Sequence, residues 1–390
     1  MSKHRKILIC LIILLFLPVL GVCAEDYITG NSNNGGLNQM YEEQLEASGA
    51  GKLWDSLPPE TLDLLNRIGI TSFEPSSFTG LKPENVANKL LELLIQSSRG
   101  PLRSTAVILG VVLLYAFMEG LRNTVKEESL SKVYGVICAL AACATLIIPI
   151  SVCIKNVSRA ADSVSVLMIS FVPVYAGVML VSGQPVTAAA YQSVMLFAAE
   201  LISLLATKII VPLMIVSLAL NVVGSVTPDM KLGSAGGLIN KSCGWLLGLT
   251  TTIFVGLLSV QGLVGAAADN VTTKALKFSL GAFVPVVGGA LGDALNTIKG
   301  CLNLLKSTLG GFGIISTLLI VLPPIIECVV WIILLSFLNM AAEMFSLNSV
   351  STLFKSAQGV MKTLIAVLAS CSMFMIVATT IVTLAGGGTS

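Results

Sequence analysis

The chain has 390 residues, of which 55% belong to the apolar set and only 11% are charged, against about 25% charged in a soluble domain. With a mean hydropathy of +0.90, this excludes an ordinary water-soluble enzyme and a disordered scaffold, since both need a charged surface. It also argues against an outer-membrane barrel, whose alternating strands raise mean hydropathy only weakly. What remains is an all-α, polytopic helical membrane protein.

The net charge of +2 hides an asymmetry. Residues 25–100 carry eleven acids and five bases, a net of −6, whereas residues 101–390 carry fifteen bases and ten acids, a net of +5. Three parts follow in chain order: a signal peptide over 1–24, an acidic, partly helical extracytoplasmic segment over 25–100, and a polytopic membrane domain over 101–390.

Lys3, Arg5 and Lys6 precede the apolar run Ile7–Leu17, and Pro18, Gly21 and Val22-Cys23-Ala24 follow it. That pattern predicts a secretory signal peptide cut after Ala24. Residues 27–52 are rich in Asn, Gly, Ser and Gln and read as flexible. Pro58-Pro59-Glu60 opens a short helix through Arg67. Asn85 caps a second helix, Val86–Gln96, with Leu90, Leu91, Leu94 and Ile95 on one face. That face needs a membrane surface, a partner or its own neighbours to cover it.

Apolar spans are predicted at 105–121, 133–154, 164–182, 187–223, 245–268, 312–338 and 363–385. About 20 residues cross a bilayer core, so 187–223 is too long for one span. Lys208 and Pro212 near its centre suggest two crossings or a broken helix, giving seven or eight transmembrane helices. The loop Lys/Arg counts are balanced and set no orientation. Residues 269–311 differ. Lys274, Lys277, Asp293, Lys299 and Lys306 interrupt any apolar run, yet Gly281–Gly292 is too apolar for a water-exposed loop. Pro285 between glycines favours non-helical backbone, which membranes tolerate only inside protein or beside water. The segment therefore reads as a re-entrant or interfacial Gly-rich element, with a packed helix–turn–helix joint as the alternative. Pro285, Gly288, Gly289, Gly292 and Asp293 are its candidate pore or assembly residues.

Two further sets stand out. Gly244, Gly248, Thr252 and Gly256 form a small-residue stripe that lets helix backbones approach closely, within one subunit or between copies in a homo-oligomer. Glu119, Glu200, Lys208, Glu327 and Glu343 are ionisable residues in or beside apolar spans. A charge at a helix centre costs roughly 2.5–3.5 kcal/mol on insertion scales, so these side chains should face an interior, a cavity or an interface. Glu327 follows Pro323-Pro324, where two missing donors should kink the helix. An acid beside a kink is one way a secondary transporter or permease places an ion site.

Catalytic signals are missing from the sequence. The sole histidine, His4, lies in the leader, which excludes Ser-His-Asp chemistry and histidine metal sites from the mature chain. Gly233–Ser242 is glycine-rich, but Asn240 stands where a phosphate-binding loop needs Gly. Most of the nine cysteines fall in or beside apolar stretches and read as small hydrophobes. No enzyme activity, metal, cofactor or nucleic-acid partner is expected.

Lys274-Ala275-Leu276-Lys277-Phe278-Ser279 runs into Phe283-Val284-Pro285-Val286-Val287-Gly288-Gly289, followed by Asp293-Ala294 and Lys299-Gly300-Cys301. With the leader, the short acidic segment and the Gly-rich body, this resembles the stage III sporulation protein AE family of endospore-forming Firmicutes. The resemblance covers nearly the whole chain and is most specific over 230–330. It implies a multi-pass protein of the mother-cell membrane surrounding the forespore, part of a channel, feeding-tube or secretion-like apparatus required for late forespore development. Its implied partners are other mother-cell sporulation channel proteins of the same operon, ring-forming and ATPase-like proteins among them, and a forespore-membrane partner. The family offers no catalytic residues to carry over.

Overall fold

The structure, a computed structural model, describes residues 35–79, 83–122, 128–226, 232–283 and 288–387. The predicted leader lies outside the described residues. Among the described residues the chain is helical throughout, without strands. Its elements are α1 (Gly35–Ser48), a 3₁₀ turn (Ala50–Ser56), α2 (Pro59–Ile68), α3 (Pro75–Thr79), α4 (Pro83–Arg122), α5 (Glu128–Val181), α6 (Pro185–Ile202), a π-helical segment (Ser203–Ile210), α7 (Val211–Val226), α8 (Leu232–Phe283), α9 (Gly288–Met344) and α10 (Asn348–Gly387).

Six helical stretches among the described residues are long and apolar enough to cross a membrane: Glu92–Met118, Leu140–Val181, Pro185–Ser225, Gly233–Val271, Gly300–Met344 and Asn348–Thr383. The seven or eight expected spans reduce to six for a physical reason. Residues 155–163, read as a loop because of their charges, are helical, and 133–154 and 164–182 fuse into α5. Lys155, Arg159 and Asp162 are exposed, while Val157, Ala160, Ala161 and Val164 are buried. A helix accommodates this pattern without breaking, because i, i+4 and i+7 share one face. The 187–223 stretch does not turn back either. It is one continuous path from Pro185 to Val226, and the expected break is the π segment, where the Val211 N–H reaches the Ala206 carbonyl.

Two other expectations change. The segment 27–52 contains α1, which forms because Tyr41 is buried beneath it and donates to the Phe73 carbonyl at 2.6 Å. The helix expected over Val86–Gln96 is the first part of α4, which continues through Pro101 into the first span. In the Gly-rich region, α8 runs to Phe283 and α9 starts at Gly288. Helix thus flanks residues 284–287, which lie outside the described residues and hold Pro285 of the predicted re-entrant or interfacial element.

α9 is the hub. Every residue from Leu305 to Leu322 is buried, as expected of a helix that is apolar all round. It packs most extensively on α10 and also on α5 and α4, while α8 bridges α10 to α6 and α7. The N-terminal elements form a cap on this hub. Trp54, Phe73 and Phe312 meet as an aromatic triad, with ring centroids 5.4, 5.2 and 4.8 Å apart. α2 starts with Pro at its first position and ends at Gly69, whose φ of 95° suits a residue without Cβ. Asp63 and Arg67 pair along α2 at 2.7 Å, and Arg67 reaches Glu92 of α4 at 3.6 Å.

Two outcomes follow. Phe312→Ala leaves a void under the cap, so the solubilised protein should lose about 3–5 kcal/mol of stability, read as a lower melting midpoint and faster proteolysis of residues 35–79. Burial pushes the Tyr41 hydroxyl up to about 12 from its usual 10. A raised folded pKa means that stability is intact below pH ~10 and is lost as pH rises toward ~12. Alkaline titration of cap stability should show that fall, and Tyr41→Phe should abolish it.

Candidate functional site

Two polar layers within the body bring together groups from several helices. The first lies near mid-height, where α5, α9 and α10 meet. Asn156 on α5 donates through Nδ2 to Glu327 Oε2 on α9 at 2.9 Å. One turn away, the Cys153 and Cys328 sulfurs stand 3.3 Å apart, with Met361 Sδ of α10 at 3.7 Å from Cys153. Glu327 is only partly buried, and the asparagine gives its carboxylate a neutral donor rather than a counter-ion. Pro323 and Pro324 lie just before it in α9, which stays helical across both.

The second layer closes one end of the body. The Ser182–Gln184 turn, with Gly183 at φ 82°, reverses α5 into α6. Asp269 of α8 caps the start of α6 from another helix: Oδ1 accepts the Val186 N–H at 3.0 Å, and Oδ2 accepts the Thr187 N–H at 3.0 Å and the Thr187 hydroxyl at 2.6 Å. Those N–H groups have no partner within their own helix, and carboxylates are favoured at helix N-termini. Lys306 of α9, 2% exposed, donates to Gln184 Oε1 at 2.9 Å. Nearby, the Tyr175 and Thr383 hydroxyls pair at 3.1 Å, whereas the buried Tyr191 hydroxyl and Gln261 Oε1 have no hydrogen-bond partner.

The residues singled out from sequence fall apart in space. Glu327 belongs to the mid-height layer. Glu200 and Lys208 are exposed on α6 and the π segment, and Glu343 is exposed at the far end, paired with Lys355 at 2.7 Å. Glu119 lies on α4, with no described side chain. Gly244, Gly248, Thr252 and Gly256 all face outward on α8, and a Cβ at any of the three glycines would meet nothing within 4 Å. Pro285 lies outside the described residues. Gly288, Gly289, Gly292 and Asp293 belong to the first turns of α9. Asn156, Asp269, Lys306 and the Cys153–Cys328 contact went unread in the sequence. Asn156 directly follows Lys155 within the charged run that ends at Asp162, so its polarity did not stand out.

Packing is tight between these layers. One cavity of about 20 Å³ lies between Leu205, Leu247, Thr251 and Cys371, and one of about 10 Å³ beside Tyr191 and Gln261. Either volume admits about one water molecule. Among the described residues no three His, Cys, Asp or Glu side chains converge as metal ligands.

The family model for stage III sporulation protein AE matches residues 77–386. The chain belongs to this family. Stage III sporulation protein AE of Bacillus subtilis (strain 168) is 26% identical over 282 residues, covering 71% of this chain and 70% of the relative. No solved structure is significantly similar to this chain. Family membership gives the chain a role in sporulation, and the six apolar stretches make it a multi-pass membrane protein.

Removing the cap on α6 should be costly. Asp269→Ala leaves two backbone donors and one hydroxyl unsatisfied, each unmet buried group costing about 1–3 kcal/mol. Its melting midpoint should fall well below that of Asp269→Asn, which keeps an acceptor oxygen.

Proposed function

We propose that this chain is a membrane subunit of the sporulation channel, a secretion-like complex that links mother cell and engulfed forespore and is required for late forespore development. It would reside in the mother-cell membrane surrounding the forespore and act with other channel proteins of the same operon and a forespore-membrane partner. In this reading it does no chemistry of its own. The observation that carries it is the family match over residues 77–386.

The second reading, a stand-alone secondary transporter or permease, rests on Glu327 beside Pro323-Pro324. Substitution separates the two. Glu327→Gln keeps an acceptor for Asn156, so a channel subunit should sporulate at wild-type frequency, whereas a transporter using the carboxylate should lose sporulation by orders of magnitude. Crosslinking in sporulating cells should recover other channel proteins with this chain, and recovery of none of them would overturn the channel reading.

A further inference from the structure

Buried cysteine usually behaves as a small apolar side chain, but two of these sulfurs are placed as a reactive pair. Cys153 of α5 and Cys328 of α9, 175 residues apart along the chain, face each other at 3.3 Å. Both are fully buried. Among the described residues they are the one pair of cysteines in sulfur contact; Cys143 meets the Ser225 hydroxyl instead, at 3.4 Å. Met361 of α10 lies 3.7 Å from Cys153 and accepts its S–H. A thioether can only accept, so Cys153 directs its hydrogen to Met361 and presents its lone pairs to the Cys328 thiol.

A disulfide holds its sulfurs about 2.05 Å apart. Closing this pair from 3.3 Å takes a movement of about 1.2 Å, divided between two side chains that each turn about a single torsion. The two helices are already tied at this level. Asn156, one turn on from Cys153, donates to Glu327, the residue before Cys328, at 2.9 Å. That bond fixes the spacing of α5 and α9 and limits how far the sulfurs can drift apart. Asn156 and Glu327 are both partly exposed, so the thiols lie directly behind the surface of the body.

We propose that Cys153 and Cys328 are a covalent modification site, closed as an intramolecular disulfide by a lipid-soluble oxidant. Two S–H bonds break, one S–S bond forms, and two electrons and two protons leave the pair. A membrane quinone takes up both electrons and both protons and departs as the quinol. Copper(II)–phenanthroline takes one electron per ion, and the two protons then pass to water. Met361 stays a thioether throughout. The bond joins α5 to α9 just past Pro323 and Pro324, which remove two backbone donors from the helix. It thus staples the hub beside the turn where α9 lacks two of its own hydrogen bonds, and it holds Glu327 against Asn156. The inference does not depend on the channel reading, which crosslinking to other channel proteins tests separately.

The test uses the full chain with a thrombin site inserted between Val226 and Leu232, so that cleavage separates Cys153 from Cys328 along the sequence. The chain carries C10S, C23S and C138S, and the six buried cysteines stay. The protein in lipid nanodiscs is oxidised with copper(II)–phenanthroline, its remaining thiols are blocked with N-ethylmaleimide, and thrombin is added. Cleavage is verified on a reducing gel. On a non-reducing gel in dodecyl sulfate, the two fragments should stay joined at the mass of one chain in most of the protein, and dithiothreitol should part them. Cys153→Ser and Cys328→Ser should each abolish the joined product. Fragments that separate in the oxidised parent chain, or a joined product that survives either substitution, overturn the proposal. Cys153→Ala and Cys328→Ala replace the serine variants if these fail to elute as a single folded species, and the same outcomes apply.

Discussion

The architecture depends on one helix that has no solvent side. From Leu305 to Leu322 α9 is buried on every face, so each group it carries must be satisfied by its neighbours or by itself. Thr317 turns its hydroxyl back onto the Gly313 carbonyl at 2.8 Å. Gly313 leaves room for Phe171 and Met375, which a Cβ there would meet at 2.7–2.9 Å. Lys306 finds Gln184. α5 and α10 press on this helix from the membrane body, and the cap closes it through Phe312. Residues that look unrelated along the chain are thereby fixed to one axis, and their heights relative to each other become meaningful.

Helix content and apolar character were legible in the sequence, because a strong excess of Leu, Ile, Val and Ala with so few charges leaves little else. The number of crossings was not. A charge cluster looks like a loop when hydropathy is averaged, but Lys155, Arg159 and Asp162 recur at helical spacing on one face, and the opposite face stays packed. The break within 187–223 was legible from Lys208 and Pro212, but its form, a π segment over Ser203–Ile210 in an unbroken helical path, was not. α1 was read as flexible because its polarity is real; what orders it is Tyr41 buried against Phe73, thirty-two residues away.

The polar layers were less legible for a related reason. Glu327 could be singled out as an acid in an apolar stretch, yet its partner Asn156 lies 171 residues away. Asp269 stands just past the predicted span 245–268 and was not singled out. Its role as a cap exists only because α8 passes the start of α6. Local spacing finds caps within a helix and has no means of finding one supplied by another helix.

The π segment has a consequence of its own. A π turn holds more residues than an α turn for each closed hydrogen bond, so the inserted residue rotates everything after it by about 100° around the axis. The faces of α6 and α7 are therefore out of phase with one another: α6 packs on α5 and α8, and α7 packs on α8, α10 and α5. The irregular turn lets a single unbroken helix change the side it shows to these neighbours part-way along its length.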